Sequence, residues 1–230
     1  MMLAMISVII PTLNAAPSLS ATLAALRSGQ ESGLIEEIVI SDGGSTDSTK
    51  EIAEEVGAQV LKGPPGRGGQ LQRGAVAAGG EWLLFLHGDT VLEREWLFAV
   101  EAFVADGGNT GRAAAFRFAL DDPSSGGQRL ERIVAWRCAK FGLPYGDQGL
   151  LLSRRFYGQV GGFRDLALME DVDLVRRIGK SRLDILPVGA ITSARRYRQG
   201  GYIRRPVRNL FYLSLYFIGL PTRLLARLYG

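Results

Sequence analysis

The chain has 230 residues, 47% hydrophobic and 22% charged, which is enough to bury one sizeable core and excludes a disordered protein. Its net charge of +4 is unevenly placed: the first 184 residues hold all 23 acidic side chains beside 19 of the 27 basic ones, and the last 46 hold eight arginines and no acid. The single Cys138 excludes an intramolecular disulfide and reads as a small buried hydrophobe. Met1–Ile10 runs straight into a strand pattern with no signal-peptide sequence, so a cytoplasmic location is expected.

Along the chain, Ile6–Ile10 is a β-branched run closed by Pro11 and predicts a buried parallel strand. A helix over Ser18–Ser28 follows, then a strand over Ile35–Ser41, a helix over Ser45–Val56, a short strand over Ala58–Leu61 and a helix over Gln70–Ala78. Trp82–Leu86 reads as a strand, Glu93–Ala105 as a helix and Ala113–Leu120 as a strand. Ser124–Gly127 reads as a flexible loop before a helix over Leu130–Lys140, and Leu150–Leu152 as strand-like. This alternation predicts an α/β fold with a mostly parallel, doubly wound sheet flanked by helices, whose ligands sit at the carboxyl ends of the strands.

The loops at those ends carry the candidate chemistry. Pro11-Thr12-Leu13-Asn14 offers polar groups to a base or ribose. Ser41–Asp47 places Asp42 at a strand end, with Gly43 and Gly44 allowing close backbone approach; Ser45, Thr46 and Asp47 are ordinary capping residues, but capping does not explain Asp42. Gly63-Pro-Pro-Gly-Arg-Gly-Gly-Gln70 is a glycine-rich stretch leading into a helix, suited to a diphosphate through helix N–H groups and Arg67. It has neither a P-loop ending nor the place of a dinucleotide fingerprint. Leu83–Thr90 is an apolar strand ending in His87, Gly88 and Asp89, and a carboxylate there, together with substrate phosphates, would hold Mg²⁺ or Mn²⁺. His87 is the only histidine, and direct ligation by it is the weaker reading, because a lone histidine more often serves as a structural hydrogen-bonder. The candidate donor-binding set is therefore Pro11, Thr12, Asn14, Asp42, Gly43, Arg67, Gln70, Gly88 and Asp89.

The segments Ser7–Asn14, Ser41–Asp47, Phe85–Asp89, Gly146–Gly149 and Met169–Asp173, in this order and at this spacing, resemble the family-2 glycosyltransferases of GT-A fold across roughly residues 6–200. The resemblance implies transfer of a sugar from a nucleotide-diphosphate donor of UDP or GDP type, with Asp42 at the base, Arg67 near the diphosphate and Asp89 on the metal. Ala15 stands where a glutamate often follows the asparagine, and His87 stands where the first acid of Asp-X-Asp would be. Inverting transfer needs a carboxylate to take the acceptor hydroxyl's proton, and Glu170 and Asp171 open a helix whose N-terminus stabilises an anion, although acidic capping alone would place them there. By resemblance to the family's Glu-Asp motif Asp171 is the base and Glu170 its understudy, while Asp147 and Gln148 lie in a loop at the acceptor cleft.

Ser193–Tyr197 occupies the place of the Gln-X-X-Arg-Trp motif of processive synthases but shares only Arg196 and an aromatic, which argues against processivity. Arg195 and Arg196 would neutralise the diphosphate from the far side, with a solvated basic face as the plain alternative. Trp136 and Tyr145 would stack on a sugar or lipid, or fill the core, which is the commoner fate of aromatics in apolar stretches. The division expected is a catalytic domain over residues 1–200 and a basic, amphipathic helical segment over 201–230. Tyr202–Phe217 would lie on an anionic membrane at its inner face, near a lipid-linked hydroxyl acceptor, rather than bind nucleic acid; packing on the domain or on a second subunit competes with this. A sugar-nucleotide nucleotidyltransferase, or a membrane-surface binding protein with a degenerate donor site, are the competing classes, and the oligomeric state is open.

Overall fold

The computed structural model describes residues 5–202 and 204–229, and within them the side chains of Arg196 and Gln199 are excluded. Eight strands form one sheet in the order β3-β2-β1-β4-β7-β6-β8-β5. The N-terminal half is parallel: β1 (Ile6–Thr12), β2 (Ile35–Asp42), β3 (Gln59–Lys62) and β4 (Trp82–Phe85). The other half is mixed. β7 (Leu150–Ser153) runs antiparallel to both β4 and β6 (Ala113–Leu120), β8 (Leu183–Thr192) runs parallel to β6, and β5 (Thr90–Leu92) closes the edge antiparallel to β8. Four of the seven pairings among the described residues are thus parallel, so the sheet is mostly parallel but only its N-terminal half is uniformly so.

Strand alternation splits the core in two. Ile6, Val8 and Ile10 face α1 (Ala16–Glu31) and α4 (Trp96–Ala105), meeting Leu19, Leu23 and Leu26 at helical spacing together with Trp96 and Val100. Ile9, Val39, Leu83 and Phe85 face the opposite layer, α3 (Arg67–Ala77) and α7 (Glu170–Ile178), through Leu71, Ala75, Leu174 and Ile178. Each of these fully buried aliphatic side chains contributes roughly 1.5–3 kcal/mol. The continuous apolar runs of β1 and β4 follow from this burial on both faces.

Three boundaries depart from expectation for local reasons. Helix α2 (Thr49–Glu55) begins four residues later than Ser45, because Ser45, Thr46 and Asp47 are engaged with the β1 loop. Helix α5 (Ser125–Phe141) absorbs the expected flexible loop: the Ser124 hydroxyl accepts the Gly127 N–H at 3.2 Å, and a Cβ on Gly127 would lie 2.4 Å from the Asp122 carbonyl oxygen, so only glycine fits this first turn. Helix α3 starts at Arg67, three residues before Gln70.

Beyond β7 the chain adds α6 (Arg154–Gln159), and after β8 come α8 (Arg195–Gly200), α9 (Arg204–Phe217) and α10 (Thr222–Tyr229). The last two form a hairpin around the buried Tyr212, Leu213 and Leu225, with the Tyr212 hydroxyl donating to the Leu228 carbonyl. The Arg176 guanidinium of α7 lies 4.7 Å from the Phe217 ring centre, so this basic segment packs on the domain. No helix among the described residues is long and apolar enough to cross a membrane.

Candidate active site

The ends of β1 and β2 form a corner braced by their own side chains. The Asp42 carboxylate, 3% exposed, accepts from the Thr12 hydroxyl at 3.0 Å, the Gly44 N–H at 2.9 Å, the Ser45 N–H at 2.8 Å and the Ser45 hydroxyl at 2.5 Å. Burial alone would raise its pKa, but these bonds, led by Ser45, outweigh it and hold Asp42 below the ordinary aspartate value. Asn14, at φ 50°, accepts the Thr46 N–H at 2.9 Å and so stitches the two loops together. Gln70 is buried as well: its amide donates to the Thr12 and Ser41 carbonyls at 2.8 and 2.7 Å, locking α3 to both strand ends. A Cβ on Gly43 would sit 3.1 Å from the Pro65 Cα and 3.2 Å from the Gln70 amide nitrogen, which explains that glycine by packing.

Beside this corner opens a cleft of about 620 Å³. Asp89 reaches it from the loop after β4, Asp147 from the turn before β7, and Glu170 and Asp171 from the start of α7. Arg67, the first residue of α3, is 52% exposed, with a guanidinium nitrogen 3.3 Å from a Glu170 oxygen. Despite the desolvation that opposes its charge, Glu170, Asp171, Asp89 and Asp147 raise its pKa above the usual value.

Negative charge exceeds what Arg67 neutralises, and two carboxyls respond. Asp147 is pushed up to about 6, first by burial, with Asp171 and Asp89 adding and Arg137 and Arg67 opposing. Glu170, 3% exposed, is also raised, by burial and then by Asp171 against Arg67. Asp147 Oδ1 is buried without a hydrogen-bond donor among the described residues, whereas the buried Glu170 Oε1 faces the Arg67 guanidinium at 3.3 Å. Asp171 is held rigidly instead: one oxygen accepts the Gly146 N–H at 2.7 Å and the other the Val172 N–H at 2.7 Å. Met169 precedes the pair at φ 65°, a left-handed conformation that costs of order 1 kcal/mol and aims the helix start into the cleft.

His87 lies against the same loop, since a Cβ on Gly146 would come within 2.5 Å of its Nε2. The described residues contain no group of three acidic, histidine or cysteine side chains arranged to hold a metal unaided. The donor set still suits a hard divalent cation: Asp89 is a carboxylate in the cleft, and the uncompensated charge and the bare Asp147 Oδ1 favour a positive partner that takes its remaining ligands from phosphate.

The cleft therefore gathers Arg67, His87, Asp89, Asp147, Glu170, Asp171 and Arg195 of the residues expected from sequence. Pro11, Thr12, Asn14, Asp42 and Gly43 form the adjoining corner, and Gly88 is buried with its carbonyl accepting the Ser18 hydroxyl at 2.8 Å. Two residues are corrected. Gln148, 1% exposed, turns inward, donating to the Phe116 carbonyl at 2.9 Å and accepting from Arg137, so it shapes the loop rather than lining the cleft. Gln70 likewise spends its amide on backbone.

The glycine-rich stretch is also reassigned. A Cβ on Gly68 would lie 2.4 Å from the Arg164 carbonyl oxygen, and one on Gly69 would lie 2.9 Å from an Asp165 carboxylate oxygen, so these glycines serve packing and the first turn of α3 already faces an anion. Trp136, expected in the core, is 56% exposed, whereas Tyr145 lines the cleft with the Arg137 guanidinium 3.5 Å from its ring centre. The Arg196 side chain lies outside the described residues. Asp121 and Tyr229 also line the cleft and escaped the sequence reading; Tyr197, Arg205 and Asn209 line it too, although that reading placed them in the motif segment and the basic tail rather than at the cleft. Asp121 follows the end of β6, and the strand-end rule that selects Asp42 and Asp89 would have found it.

A parallel half-sheet whose loops meet an acidic cluster supplied by a second, mixed half defines the GT-A class of transferase fold. The chain belongs to the glycosyl transferase family 2, whose model matches residues 7–161. Among its relatives is the PGL/p-HBAD biosynthesis glycosyltransferase of Mycobacterium bovis and Mycobacterium tuberculosis, 39% identical over 110 residues. That match takes in 44% of this chain and 42% of the relative, so it spans less than half of either. Among solved structures, glucosyl-3-phosphoglycerate synthase from Mycobacterium tuberculosis, in complex with Mn²⁺, UDP and glucosyl-3-phosphoglycerate, superposes with a TM-score of 0.60 at 20% identity, covering 89% of this chain and 78% of that one. Mannosyl-3-phosphoglycerate synthase from Rubrobacter xylanophilus gives 0.60 at 18% identity, covering 84% and 68%. At these identities the likeness establishes the fold.

Proposed function

We propose that this glycosyltransferase moves a sugar from a UDP- or GDP-type donor to a hydroxyl acceptor with inversion. The observation that carries the reading is the convergence of Asp89, Asp147, Glu170 and Asp171 around Arg67 in a cleft beside the β1–β2 corner. The corner residues Pro11, Thr12, Asn14 and Asp42 would shape the pocket for the base, and Arg67 and Arg195 would face the diphosphate. Asp171, fixed by two backbone N–H groups, takes the acceptor hydroxyl's proton as its oxygen attacks the anomeric carbon, and the bond to the diphosphate breaks on the opposite face. Glu170 holds Arg67 in place and Asp147 orients the sugar or the acceptor. Asp89, with His87 as the weaker candidate, would hold Mn²⁺ or Mg²⁺, which would stabilise the departing diphosphate. The glucosyl-3-phosphoglycerate synthase structure contains Mn²⁺ and UDP, which supports that choice of donor and metal.

Residues 1–200 would make up the catalytic domain and 201–230 an appended segment whose Arg205, Asn209 and Tyr229 wall the cleft. The exposed Val207, Leu210, Phe211 and Ile218 beside Arg204 and Arg208 support contact with an anionic membrane and a lipid-linked acceptor. Turnover of UDP-glucose and GDP-mannose with Mn²⁺, on free and lipid-linked hydroxyl acceptors, tests the reading. Asp171→Asn is expected to lower kcat by about 10²–10⁴. Full transfer by that variant removes the base, and no turnover of any nucleotide sugar removes the donor class.

A further inference from the structure

Helix α5 carries a second surface that the cleft does not use. Its inner face, Gly127, Leu130, Val134 and Cys138, is buried against β6. On the opposite side Arg129, Arg132, Ile133, Trp136 and Lys140 fall at helical spacing in one exposed stripe. Ile133 is 57% and Trp136 56% exposed, and the Phe141 ring stacks edge-to-face on Trp136 at 5.4 Å. The Lys140 ammonium lies 5.2 Å from the Trp136 ring centre, and the Lys180 ammonium donates to the Lys140 carbonyl at 3.1 Å, adding another cation beside the aromatic pair.

No acid lies on the stripe. Glu131, the helix's one carboxylate, is turned aside to accept the Leu120 N–H at 2.8 Å. An exposed tryptophan and phenylalanine are costly to leave in water, and the cations around them rule out an electropositive partner. Indole at the level of lipid headgroups, with arginine and lysine reaching anionic phosphates, satisfies both groups at once.

We propose that the Arg129–Phe141 stripe of α5 is a docking surface for an anionic lipid bilayer. It is a contact separate from the one suggested for the C-terminal hairpin, and it needs nothing of the donor chemistry. Binding places Trp136 at the headgroup–acyl boundary while Arg129, Arg132, Lys140 and Lys180 pair with lipid phosphates.

Tryptophan fluorescence reads this contact directly, because Trp82 and Trp96 are 4% and 1% exposed and remain shielded from lipid. The full chain is mixed with phosphatidylcholine vesicles, with or without phosphatidylglycerol, whose acyl chains are brominated near the headgroup. The expected result is quenching of the exposed-tryptophan emission in anionic vesicles only, reversed by high salt and absent in Trp136→Phe. In Arg129→Glu/Arg132→Glu/Lys140→Glu the vesicle affinity should fall more than about tenfold. All three side chains are exposed, so retained emission from Trp82 and Trp96 verifies the fold. Vesicle binding without quenching of Trp136 overturns the α5 surface and leaves contact to the C-terminal hairpin. Failure to bind anionic vesicles at low salt overturns both surfaces and leaves the transferase reading intact.

Discussion

Gly146 sits where the three parts of the proposed centre touch. Its N–H donates to Asp171 at 2.7 Å, and a Cβ there would lie 2.5 Å from His87 Nε2, 2.9 Å from His87 Cε1 and 3.5 Å from Asp171 Oδ2. Ordinary carbon contacts begin near 3.5 Å, so Gly146→Ala must drive the imidazole or the loop back by roughly 1 Å. Overpacking of this kind costs about 1–3 kcal/mol, which for a chain of this size is a fall in Tm of roughly 2–12 °C. A displacement of about 1 Å at a catalytic base costs on the order of 10²-fold in rate. Release of nucleoside diphosphate from the active donor, measured beside Tm by calorimetry, reports both effects. An alanine variant with wild-type kcat/KM and wild-type Tm would refute the placement of His87 and Asp171 around this loop.

Three further outcomes follow from the charges. Because Asp147 is raised to about 6 and Glu170 is raised as well, the folded state binds protons more tightly than the unfolded chain. That stability is fully present below the ordinary carboxylate range and is lost as pH climbs from about 4 through 6, so Tm in metal-free buffer should decline over this window. Asp147→Asn should flatten the decline, and Mn²⁺ should restore Tm at pH 8; a Tm indifferent to both pH and metal would count against a crowded acidic centre. Arg67→Met removes the cation facing Glu170, Asp171, Asp89 and Asp147, so its loss of Tm should be larger at pH 8 than at pH 5, and equal losses would contradict the assignment. Asp42→Ala strips four hydrogen bonds from a buried loop and should cost about 2–4 kcal/mol in urea unfolding; a neutral result would show that the corner does not depend on its carboxylate.

The N-terminal half of the fold was legible because β1 and β4 are buried on both faces and read as apolar runs, while β2 keeps an apolar run over Ile38–Ile40 and the short, partly exposed β3 follows a recognisable helix. Strand β8 escaped because Leu183–Thr192 contains Pro187, which the sheet tolerates at an irregularity where Phe116 pairs with Leu186 and Arg117 with Gly189. Strand β5 is three residues long, too short for a period to register. The reversal of β7 was equally hidden, since Leu150-Leu-Leu152 looks the same in either direction.

At the site, Asp89, Glu170 and Asp171 were recognisable as acids at strand and helix ends, and the structure brings them together. Which polar residues are consumed by the scaffold was not readable from sequence. Gln70 and Gln148 resemble ligand contacts until their backbone acceptors are seen, and Arg67 gains its weight only from four carboxylates brought to it by the fold. Arg205 and Tyr229 reach the cleft because the C-terminal hairpin folds over it, and Tyr197 reaches it from α8, tertiary events with no local signal.

Isothermal titration of the protein with UDP and GDP, with and without Mn²⁺, tests the central claim most directly. Metal-dependent binding of one nucleoside diphosphate, weakened more than about tenfold in Asp89→Asn, is the predicted result. No binding of either nucleotide under any metal condition would contradict a nucleotide-sugar transferase and return the chain to a surface-binding role.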